Sequence, residues 1–286
     1  MSRTCLTSAL CAALVLAAAA PAAARDAIPR DSTPAQMLQY LKTGSEDARR
    51  ESCKRLGDRR DPSAISAIGE LVLKDPVVKV RITCVKALED LGPYPASVPF
   101  IVQAVLKDPD AKVRQEAADS IGDVDPSGGG AVAAQVLTQD KELDVRRQVC
   151  RTIEHRRWAA AEGAVLQVVR ATTEPTELRR ACLQSLGAIG SDQGYALLHK
   201  MMTEEATEEL RKEASAQIEH HPRPDSIPFL CKALSDRNDR IVGNAINGLK
   251  NLGRKEGAPC LREAAKAARS DRHAGNMNKV AFELER

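Results

Sequence analysis

KVRITCVKALEDLG, residues 79–92, is the stretch on which the fold turns, because the chain writes it again from Lys112 as KVRQEAADSIGDV. Five further segments fall into the same register: DARRESCKRLG from Asp47, DVRRQVCRTIEH from Asp144, ELRRACLQSLGAIG from Glu177, ELRKEASAQIEH from Glu209 and RIVGNAINGLKNLG from Arg240. The aligned residues are Arg49, Arg81, Arg114, Arg146, Arg179, Arg211 and Val242, so the unit recurs every 31–33 residues. A period of that size is the mark of a stacked-repeat architecture. One place before the aligned residue, and three, four and seven after it, the side chains are apolar or small. In the second copy they are Val80, Cys84, Val85 and Leu88; in the third, Val113, Ala117, Ala118 and Ile121. That is the spacing of a helix burying one stripe.

Between these helices lie shorter apolar ones, at 64–73, 98–106, 131–137, 164–169, 195–202, 227–234 and 260–268, with 33–41 as the partner of the first copy. Gly, Pro and Asp gather at the joints, as in Asp61-Pro62, Gly92-Pro93 and Asp125-Pro126. The expected fold is therefore all-α: an α-solenoid of about eight stacked helix-turn-helix units over residues 33–286. Aromatic residues make up only 2% of the chain, so Ala, Leu, Val and Ile must fill the core. The Gly128-Gly129-Gly130 run reads as a linker between two helices.

An apolar helix, an acid in the turn, then Val-Arg, small residues and Leu-Gly is similar to the HEAT repeat, and most of all to the short HEAT-like repeats also found in phycobilisome lyases. The resemblance implies a helical superhelix whose second helices line a concave surface, a scaffold used for many purposes. Tetratricopeptide repeats need aromatic residues at set positions and ankyrin repeats a Thr-Pro-Leu-His turn; this chain has neither. The last copy is irregular, with Asp271, Met277, Val280 and Leu284 in register only after a small insertion, as suits a terminal cap.

The N-terminus reads as an export signal. Arg3 precedes a nearly continuous apolar run from Leu6 to Ala20, and Ala22-Ala23-Ala24 offers a small-residue cleavage site. The expected organisation is signal peptide 1–24, flexible lead 25–32 and repeats 33–286, with a periplasmic or extracellular location and no membrane span after cleavage. Of 42 Lys and Arg against 39 Asp and Glu, only Arg3 falls in the signal, so the remainder is near neutral. A dedicated nucleic-acid binder would carry a strong basic excess, and no nucleic-acid partner is expected.

Six cysteines lie beyond the signal. Cys53 and Cys150 stand four after their aligned arginines, while Cys84 and Cys182 stand three after theirs in the next copies. Cys231 and Cys260 fall on the other helix type of sequential copies. The expected bridges are Cys53–Cys84, Cys150–Cys182 and Cys231–Cys260, each stapling adjacent repeats in an oxidising compartment.

Six residues before the aligned position stands an acid in five copies: Asp75, Asp108, Asp140, Glu205 and Asp236. Such an acid can accept from exposed amides at the next helix start. It also lies near that helix's arginine, giving an Asp–Arg ladder of Asp75 with Arg81, Asp108 with Arg114, Asp140 with Arg146 and Glu205 with Arg211. Basic residues recur on the exposed side of the second helices: Arg50, Arg147, Arg180 and Lys212 one place after the aligned arginine, Lys54, Lys86 and Arg151 five places after. They suggest a mildly basic groove for a protein or peptide partner, with acidic character as the chemistry that would suit it.

Catalytic chemistry has little to stand on. Glu154-His155 and Glu219-His220-His221 resemble, in reversed order, the His-Glu pairs of iron-binding HEAT-repeat hydroxylases. They lie two repeats apart, which at ordinary helix spacing is roughly 20 Å, too far to share a metal. There is no phosphate loop, nucleophile elbow or zinc spacing. The expectation is a non-catalytic exported scaffold or adaptor with no cofactor. The alternatives are a regulatory or accessory subunit of an enzyme complex and, through the lyase resemblance, a cofactor-handling protein.

Overall fold

A computed structural model describes residues 28–286, so the signal segment 1–24 lies outside the described residues. Among them are sixteen α-helices in eight consecutive pairs, and no strand. The pairs are α1 (Pro34–Thr43) with α2 (Glu46–Asp58), α3 (Ile65–Lys74) with α4 (Val78–Leu91), α5 (Val98–Lys107) with α6 (Ala111–Val124), and α7 (Gly129–Gln139) with α8 (Leu143–Arg156). There follow α9 (Glu162–Arg170) with α10 (Thr176–Ile189), α11 (Asp192–Glu204) with α12 (Glu208–His220), α13 (Ile227–Ala233) with α14 (Asp239–Leu252), and α15 (Ala258–Lys266) with α16 (Asp271–Glu285).

Local signals fix the ends. Thr33 closes a reciprocal capping box with Gln36 at the start of α1, and Ser45, Asp110, Ser191 and Asn238 cap other helices with their side chains. Gly190 (φ 74°) and Gly253 (φ 62°) end α10 and α14 in the left-handed region that favours glycine. The repeated stripe is the core: Val80, Cys84, Val85 and Leu88 are fully buried, and Val113, Ala117, Ala118 and Ile121 nearly so.

Each pair packs on its sequence neighbours, and successive second helices pack on one another more extensively than successive first helices. The second helices therefore lie on the inside of the curve. Gly57 of α2 is one reason they approach so closely, since a Cβ there would stand 2.9 Å from the Ala87 backbone of α4. At the far end α16 buries Met277, Val280 and Ala281 against the stack.

Two expectations need correction. Gly129 and Gly130 are not linker but the first turn of α7, where side chains would collide with Trp158. That tryptophan is buried in the turn after α8 and donates its indole N–H to the Pro126 carbonyl at 2.6 Å. The lead is also not wholly loose: Ile28 is buried, and the Arg55 guanidinium donates to the Pro29 and Ile28 carbonyls at 2.7 and 3.3 Å.

Candidate functional site

The aligned arginines form a ladder, but its rungs run in a different direction from the one expected. Arg81 sends Nε and Nη2 to the Asp108 carboxylate of the following repeat, at 2.8 and 2.9 Å, and Nη1 to the Asp75 carbonyl of its own turn at 2.9 Å. Arg49 pairs with Asp75, Arg114 with Asp140, Arg146 with Glu174, Arg179 with Glu205 and Arg211 with Asp236. Each arginine therefore reaches forward to the acid of the next turn rather than to the acid six places before it. The stacking of the units causes this, because it sets one repeat's turn beside the previous repeat's arginine. Five of these six carboxylates, all but Glu174, accept the amide two residues on: Val77, Asp110, Glu142, Thr207 and Asn238. Burial pushes the Glu205 carboxyl up, but the Thr207 amide and Arg179 hold it below its ordinary value. The ladder ends where Val242 replaces the arginine, between the seventh and eighth repeats.

The cysteines meet as their spacing suggests. Cys53 with Cys84, Cys150 with Cys182, and Cys231 with Cys260 stand at disulfide distance, with Cα separations of 5.2, 5.2 and 5.7 Å. The first two pairs join α2 to α4 and α8 to α10; the third joins α13 to α15.

On the inner face the basic positions are present but mostly engaged. Arg50 lies 3.7 Å from Asp47, Lys86 3.2 Å from Glu116, Arg180 3.5 Å from Glu209 and Lys212 3.5 Å from Glu208. Arg147 lies 3.4 Å from Asp144 and 3.8 Å from Glu177. Among the described residues Lys54 and Arg151 have no acidic partner within salt-bridge distance. A continuous basic stripe is thus replaced by a mosaic of partly exposed ion pairs.

Two of the hollows along this face are larger than a third, of about 350 Å³, that lies beside Arg50, Lys54 and Thr83 of α2 and α4. One, of about 580 Å³, lies among the ends of α6, α8, α10 and α12 and is lined by Asp119, Arg151, Glu154, His155, Arg157 and His221 among others. His221 of the second His-Glu cluster therefore borders the same space as Glu154 and His155 of the first, while Glu219 lines the other hollow. Burial raises the Glu154 carboxyl, with the Glu213 carboxylate adding to the rise and His155 and Arg151 opposing it. His221 is lowered by burial and by Arg157. Among the described residues no group of three or more His, Cys, Asp or Glu is placed to hold a metal ion. The second hollow, of about 960 Å³, lies among α12, α14 and α16, where Asn244, Asn247, Arg240, Arg272 and His273 face it. Sequence reading missed both hollows, since they arise from curvature and have no motif. No described helix is long and apolar enough to cross a membrane.

Comparison with known proteins agrees with this geometry. The family model described as HEAT repeats matches residues 34–122, 130–219 and 196–275. No curated protein matches the sequence. Among solved structures, YibA of Escherichia coli superposes with a TM-score of 0.57 at 16% identity, covering 89% of this chain and 93% of that one. Importin beta superposes with a TM-score of 0.58 at 12% identity, covering 88% of this chain and 42% of its own. The CpcE–CpcF phycocyanin lyase complex of Nostoc matches with a TM-score of 0.35 at 18% identity, over 91% of this chain and 97% of that one.

Proposed function

We propose, since the chain belongs to the HEAT-repeat family, that it is an exported, non-catalytic scaffold that binds a protein or peptide segment along its inner helix face. The observation that carries this reading is the mosaic of ion pairs and open polar hollows along the second helices. Such a surface offers many donors and acceptors to an extended partner, and no converging set of reactive groups. Polar and charged groups spread along a groove favour orientation and selectivity. The three cysteine pairs at disulfide distance suit an oxidising compartment, in keeping with the N-terminal apolar run. Action as an accessory subunit of an enzyme complex would use the same face.

The test is capture of partners from the native exported fraction, followed by mass spectrometry, with wild type beside Arg147→Glu/Arg180→Glu/Lys212→Glu. The reading expects a specific partner whose recovery drops with the triple variant. Recovery unchanged by three reversals on the inner face would overturn it. N-terminal sequencing of the mature chain tests export, with a start at Arg25 expected and an intact Met1 contradicting it.

A further inference from the structure

The three cysteine pairs are not spread evenly. Numbering the helix pairs as repeats one to eight, the bridges tie one to two, four to five, and seven to eight. Repeat three (α5 and α6) and repeat six (α11 and α12) carry no cysteine at all. For the first two bridges the non-covalent packing follows the same division. Helices α2 and α4, and α8 and α10, pack more extensively than α4 with α6, α6 with α8, α10 with α12 or α12 with α14. Inside the stapled α2–α4 pair the backbones come close, Gly57 admitting Ala87. The last pair is tied through its first helices; its inner helices α14 and α16 pack less extensively, without an arginine rung. Around repeat six the interface is polar, with Arg211 3.4 Å from Asp236 and the Asn244 side chain hydrogen-bonded to the Ser215 hydroxyl at 2.9 Å.

We propose that the chain is a jointed solenoid: three covalently tied pairs of repeats connected through repeats three and six, where the inner groove changes its curvature. A bridge removes open conformations by tying two helices that would otherwise separate together. A repeat without one opens against its neighbours through contacts alone, and in a solenoid each interface contributes separately. The inference needs no bound partner and stands or falls independently of the binding reading.

Hydrogen–deuterium exchange on the oxidised full-length chain tests it, with peptides resolving each inner helix. Amides in the centres of α6 and α12 should exchange at least about threefold faster than those of α4, α8 and α10, as expected of less stable local units. Two variants assign the cause. Cys150→Ala/Cys182→Ala should bring α8 and α10 up to the rate of α6. Ser215→Cys/Ala245→Cys, which places cysteines four and three residues after the aligned positions of repeats six and seven, should slow α12 to the rate of the stapled helices. If α6 and α12 exchange less than about threefold faster than the stapled helices, the proposal is overturned, and that wild-type comparison decides even where a variant fails to fold. It is equally overturned if removing the Cys150–Cys182 pair leaves α8 and α10 unchanged.

Discussion

Arg81 shows what a single residue does here. Its side chain is 9% exposed and that of Asp108 5%, so the pair sits in a low-dielectric seam, and losing one partner leaves the other charge stranded. Arg81→Ala should lower stability by about 3 kcal/mol, whereas Arg50→Ala, whose ion pair is largely exposed, should cost less than about 1 kcal/mol. Denaturant melts of the two variants measure the contrast. His199 supplies a pH signal. It is buried on α11, stacks on Phe229 with centroids 4.2 Å apart, and shares a 2.8 Å hydrogen bond with Ser226; Tyr195, Arg223 and Asp225 are its other polar neighbours. Burial lowers its pKa below the ordinary 6.5, Asp225 opposing and Arg223 assisting. The unfolded chain then binds the proton more readily, so the stability that neutral His199 contributes is present above about pH 6.5 and is lost as pH falls below it. His199→Phe, neutral throughout, should lose less melting temperature than wild type between about pH 7 and 5; equal losses would contradict the assignment. The acid and the arginine were legible in the sequence for every rung but Arg146–Glu174, whose acid stands one place out of register. Their partnership was not, since linear spacing places an acid nearest its own arginine while stacking delivers it to the preceding one. Trp158 was illegible for a like reason: nothing local says that Gly129 and Gly130 are small in order to seat it.

At the scale of elements, the amphipathic stripe decided nearly everything. Val80, Cys84, Val85 and Leu88 point inward because a 3.6-residue period leaves them no other common side, and the same offsets put Cys53 beside Cys84 and Cys150 beside Cys182. Peptide mapping without reductant should recover the cross-linked pairs Cys53–Cys84, Cys150–Cys182 and Cys231–Cys260; six free thiols in the exported protein would contradict them. Loops of this length each contribute about 3.6 kcal/mol by the chain-entropy model, so Cys53→Ala/Cys84→Ala should destabilise the chain by about that amount. Part of the expected lead, residues 28–32, is engaged at this scale. Arg55 and Arg59 of α2 reach back to the carbonyls of Ile28, Pro29 and Ser32. A lead of that composition carries no periodicity, so its role depends on what α2 leaves exposed.

The whole molecule follows from a unit that cannot bury its apolar side alone. Stacking turns that deficiency into a continuous core, and closer packing of the second helices bends the stack so that their polar sides enclose a groove. The groove itself was legible as a surface; its two larger hollows were not, because curvature is a property of many interfaces summed. The groove's cations were legible as residues but not as partners in ion pairs, since Glu177, Glu209 and Glu116 come from the neighbouring repeat. Small-angle X-ray scattering on the mature chain tests the stacked architecture most directly. A compact globule of this length would have a radius of gyration of about 18 Å. The eight-pair solenoid should give a clearly larger value with the distance distribution of an elongated, curved particle; a radius at the compact value with a symmetric distribution would contradict it.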